Sequence, residues 1–66
     1  MTMEYAEFQS LYDKQTSKFG IHSADRSVIK KDYCSYLALV ELCGRDGRLN
    51  FSQNTSGGIT WDFEPA

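Results

Sequence analysis

The stretch from Val28 to Cys43, VIKKDYCSYLALVELC, constrains the fold more than any other part of the chain. Between Tyr33 and Cys43 only Ser35 and Glu41 are clearly polar. At about 100° per residue, Ile29, Tyr33, Tyr36, Val40 and Cys43 fall on one side, with Leu37 at its edge. That is the rhythm of an amphipathic helix. Cys34, Ala38 and Leu42, spaced by four, make a second apolar stripe on the other side, and Val28 and Leu39 lie between the two. Lys30, Lys31 and Glu41 supply most of the remaining polar surface. A surface helix needs one apolar face, and this one has nearly two. The expectation is that another element of the chain, or a second molecule, covers the second stripe.

The flanking segments are read in relation to that rod. Thr2 qualifies as an N-cap, Glu4 and Glu7 suit a helix N-terminus, and Tyr5, Phe8, Tyr12 and Phe19 follow at helical spacings. Gln15 interrupts this stripe and Gly20 is a natural stop, so a first helix is predicted over 3–19. The link IHSADR offers Ser23 and Asp25 as caps, with Ser23 preferred, for a central helix over 25–43. A link this short favours antiparallel helices. Gly44 ends the central helix and Arg45-Asp46-Gly47-Arg48 has turn chemistry. The period then changes to two: Leu49 and Phe51, then Ile59, Trp61 and Phe63, alternate with polar residues on either side of QNTSGG. A lone two-stranded ribbon is marginal in water, so its apolar face must lie on the helices. Pro65 closes the second strand. The predicted fold class is α+β: two antiparallel helices and a C-terminal β-hairpin over 48–64, in one small domain spanning 1–66.

A chain of 66 residues buries only about 60% of its unfolded surface, and such domains gain from oligomerisation. Four tyrosines, four phenylalanines and one tryptophan make a compact core feasible even so. The net charge of −2 is spread through the chain in both signs, without the basic excess of a nucleic-acid-binding surface. No apolar run approaches about 18 residues, so no membrane span is expected. The N-terminal MTMEYAEFQ lacks the basic-then-apolar layout of a signal peptide, which points to a cytoplasmic location. Cys34 and Cys43 lie nine residues apart, roughly 13.5 Å along a helix, too far for a disulfide. They read as two small buried thiols.

Catalytic chemistry finds no framework here. A nucleophile needs a base within reach, and the one histidine, His22, falls in the link, where it reads as a solvent-exposed residue. No metal-ligand spacing is present, and no metal or other cofactor is expected. Gly44 and Gly47 bracket a turn and Gly57-Gly58 sit at a hairpin tip, so neither pair reads as a phosphate cradle. A helix followed by a hairpin resembles the end of a winged helix, with residues 49–64 as the wing. That resemblance implies a small DNA-binding regulator using Lys30, Lys31, Arg45 and Arg48 as one exposed patch. The helix before the hairpin is the most apolar part of the chain, however, whereas a recognition helix needs a basic, exposed face.

The functional expectation is a non-enzymatic protein-binding module, a regulator or inhibitor that occupies the surface of a partner protein and self-associates as a dimer. Its candidate protein-binding residues are Cys34, Ala38 and Leu42, whose small members permit close helix approach, with Arg45 and Arg48 in the following turn. Leu37 and Val40 are expected in the core. Small, acidic, motif-free chains of this size are often encoded by mobile elements, phages among them, and act on a host macromolecule.

Overall fold

Phe8, Tyr12 and Thr16 recur at steps of four, and steps of four keep side chains on one side of a helix. In a computed structural model that describes residues 2–21 and 25–66, these three are the buried residues of helix α1, Tyr5–Lys18. Glu4, not Thr2, is the N-cap of α1, and its side chain makes no capping bond. The last carbonyls are satisfied from beyond the helix. Phe19, Gly20 and Ile21 donate their N–H groups to Gln15, Ser17 and Thr16 at 2.9–3.1 Å. Gln15 does not break the buried stripe, because Thr16 carries it on and turns its hydroxyl back to the Asp13 carbonyl at 2.9 Å.

Helix α2 is Arg26–Cys43, one residue shorter than predicted at its start. Asp25 is the cap, with an extended backbone and Oδ1 accepting from the Ser27 N–H at 3.5 Å, so Asp25 does not lie within the first turn. Ser23 and His22, the preferred cap and the expected exposed linker residue, lie outside the described residues. Gly44 ends α2 at φ +73°, a left-handed conformation that an L side chain resists.

The hairpin follows as β1, Gly47–Gln53, and β2, Ile59–Pro65, paired antiparallel from Gly47 opposite Pro65 to Gln53 opposite Ile59. It is one residue longer at each end than the 48–64 expected, and Pro65 is its last paired residue. The alternation sorts the pairs onto two faces. Leu49–Phe63 and Phe51–Trp61 face the helices, while Arg48–Glu64, Asn50–Asp62 and Ser52–Thr60 face solvent. The Asn54 side chain organises the tip, with Oδ1 accepting from the N–H groups of Ser56 and Gly58 at 3.0 and 2.9 Å.

The core is where these faces meet: Phe8, Tyr12, Ile29, Tyr36 and Leu49. Phe8 is its centre, with ring centroids 5.3 Å from Tyr33, 5.6 Å from Tyr36 and 6.3 Å from Trp61. Tyr12 meets Phe51 edge-on at 5.7 Å, and Tyr36 meets Phe63 at 6.1 Å. Aromatic pairs of this kind are worth about 0.5–1.5 kcal/mol beyond the area they bury. The architecture is thus α+β, two helices followed by an antiparallel hairpin that packs on them. Both α1 and the hairpin settle on the same side of α2, the side of Ile29 and Tyr36.

Candidate functional site

Because one side of α2 receives both neighbours, the other is left open. Cys34, Ala38 and Leu42 are all exposed, Leu42 at 83%. The first helix does not cover this stripe, contrary to one of the two expectations raised by the sequence. Three further assignments change with it. Cys34 and Cys43 are free thiols, as the spacing requires, but both are exposed instead of buried. Cys43 lies on the core side of the wheel, yet as the last residue of α2 it is left exposed. Leu37 is 36% exposed instead of buried, whereas Val40 is half-buried and packs against the core as expected. Val28, between the stripes, is 44% exposed.

The two arginines do not join this face. Arg45 is exposed in the turn after α2, while Arg48 projects from the solvent face of the hairpin, on the far side of the core. There Arg48 Nη2 lies 3.2 Å from Glu64 Oε1, and Asn50 Nδ2 donates to Glu64 Oε2 at 2.6 Å. The amide of Asn50 first, then the Arg48 guanidinium, hold the Glu64 carboxyl below its ordinary value. The five residues singled out from the sequence therefore divide into an apolar helix stripe, an exposed turn residue and a cross-strand ion pair. Lys30, Lys31, Arg45 and Arg48 do not make one basic patch either, since Arg48 points away from α2 and is matched by an acid.

What the sequence reading missed is a set of tyrosine hydroxyls that fixes how α2 is presented. Tyr36 is fully buried, and its hydroxyl donates to Asp46 Oδ1 at 2.6 Å while accepting from the Met3 N–H at 2.9 Å. The same Asp46 oxygen accepts from the Gly47 N–H at 2.7 Å, and the Asp46 carbonyl accepts from Ala66 at 3.2 Å. Tyr33 donates to the Met3 carbonyl at 2.8 Å. Tyr12 donates to Asp32 Oδ2 at 2.8 Å, joining α1 to α2. The N-terminal segment, α2, the turn and the end of the hairpin are thereby tied through two residues, Tyr36 and Asp46. Burial, and then the Asp46 carboxylate, push the Tyr36 hydroxyl up to about 12. Burial and Asp32 raise Tyr12 in the same direction. The available signal was residue type, because a tyrosine at a core position needs a partner for its hydroxyl where phenylalanine would not.

Among the described residues there is no pocket and no group of three or more metal-ligating side chains. No helix among them is long and apolar enough to cross a membrane. No protein-family model, curated protein or solved structure matches the chain.

Proposed function

We propose that the protein is a non-enzymatic protein-binding module whose contact surface is the open face of α2, and that it regulates or inhibits by occupying a partner. The observation that carries this reading is Leu42, a large apolar side chain 83% exposed on a helix that buries Ile29 and Tyr36 on its other side. Cys34, Ala38 and Leu37 extend the apolar surface from it along α2. Apolar surface gathered along one element is how a contact site differs from scattered exposed leucines. The face also rests on a rigid base, since Tyr36, Tyr33 and Tyr12 pin α2 from behind. A surface that does not reorganise on contact loses less conformational entropy when it binds.

The test is binding with the face changed and the fold kept. Leu42→Glu removes the apolar contact at an exposed position, so the fold of the single chain should be kept, read as an unchanged circular dichroism spectrum. Retention of a protein on the parent chain and its loss on Leu42→Glu is the expected result. Equal retention by both would sink the assignment of this face. The DNA-binding alternative is tested by a gel shift on duplex DNA across a salt series, where phosphate contacts weaken steeply as salt rises.

A further inference from the structure

The open face of α2 carries a pattern that is complementary to itself when reversed. Lys30, Cys34, Leu37 and Glu41 follow at i, i+4, i+7 and i+11, one stripe of the helix, and all four are exposed. The order along it is cation, apolar, apolar, anion. The neighbouring stripe, Lys31, Ser35, Ala38 and Leu42, has the same spacing and is likewise exposed. We propose that the protein this face fits is a second copy of the chain, with the two α2 helices antiparallel about a two-fold axis at the level of residue 36. This rests on the reading that the face binds protein, and it names the partner.

In a two-fold antiparallel pair each stripe lies against its own equivalent, run backwards. Lys30 then meets Glu41 of the other copy and Cys34 meets Leu37, each contact occurring twice. On the second stripe Leu42 lies along the aliphatic stem of Lys31, and Ser35 lies against Ala38. The small side chains at 34, 35 and 38 occupy the middle of the seam, where the axes must approach most closely. The alternative, a parallel pair, brings opposite stripes together at one height and sets Lys30 against Lys31. Charge therefore selects the antiparallel register.

Sedimentation of the full chain at micromolar concentration should give twice 7.5 kDa. Lys30→Glu sets like charges against Glu41 at both ends and should weaken the dimer roughly tenfold at low salt, less at high salt. Adding Glu41→Lys to it should restore association, which no general loss of fold could do. Tighter association of Lys30→Glu would overturn the antiparallel register, because in a parallel pair that change relieves a repulsion. A clean monomer for the parent chain overturns the second copy as partner. If a protein is then still retained on the parent and lost on Leu42→Glu, the binding face survives with a different occupant. A dimer indifferent to Leu42→Glu and to both charge changes overturns the inference and the binding face together.

Discussion

Tyr36 shows how much one hydroxyl can organise in a chain this small. Its ring fills the core while its oxygen joins the N-terminal segment to the turn at Asp46. Tyr36→Phe keeps the ring and removes both bonds, leaving the Met3 N–H without this acceptor. The expected cost is about 1–3 kcal/mol, read as a lower denaturation midpoint with unchanged slope. The pH dependence has a definite sign. The folded hydroxyl titrates near 12, above its ordinary value of 10.0, so the folded chain holds a proton that the unfolded chain gives up. That stability is whole below about pH 10 and drains away as pH rises toward 12. Tyr36→Phe should therefore lessen the alkaline loss expected of the parent in a pH series of melts, and Tyr12, raised in the same direction, should keep part of it. Tyr5 is the opposite case. Its hydroxyl is buried and, among the described residues, has no partner, while its ring packs edge-on against Tyr33 at 5.4 Å. Tyr5→Phe should leave the melting temperature unchanged or raise it.

At the scale of elements, α2 is a helix with one committed face. Ile29 is 1% exposed and Leu37 is 36% exposed, although both are aliphatic residues of one helix. Ile29→Ala should cost about 2–5 kcal/mol as a core truncation. Leu37→Ala should cost under half of that in the monomer, and the contrast is measurable by denaturant titration. The hairpin has its own pressure point at Gly47. A Cβ there would meet the Glu64 carbonyl oxygen of the paired strand and approach the tip of the Phe63 ring to 2.9 Å. The backbone oxygen cannot swing aside as a side chain would. Gly47→Ala should therefore open the end of the ladder, costing about 1–3 kcal/mol and raising amide exchange at Arg48 and Glu64 first.

For the whole molecule, three elements share a single aromatic centre. Phe8 is fully buried against Tyr33 and Tyr36 of α2 and Trp61 of β2. Phe8→Ala removes a side chain of α1 that touches both α2 and the hairpin, as Tyr12 also does, and should cost about 3–5 kcal/mol. A chain of 66 residues has roughly 3–10 kcal/mol in total. The expected outcome is a large unfolded population at room temperature, with helix and hairpin signals lost together in circular dichroism.

Periodicity by itself determined the order helix, helix, hairpin and the inward faces of β1 and β2, because spacing along a chain fixes which side chains share a side. The glycine at 44 and the turn residues after it set the boundaries to within a residue or two for a similarly local reason. Two apolar stripes on α2 were equally legible, and local patterning could not say which would be covered. That was decided by packing: α1 and the hairpin also pack on each other, through Phe8 on Trp61 and Tyr12 on Phe51, so both dock on the Ile29 and Tyr36 side of α2. Hence Cys34, Ala38 and Leu42 are open, Leu37 is part of that surface, and Arg48 faces Glu64 on the far side. The hydroxyl of Tyr36 met Asp46 and Met3, residues 10 and 33 positions away, for the same reason. Sequence spacing controls direction within an element, but only the assembled core controls what each direction finds.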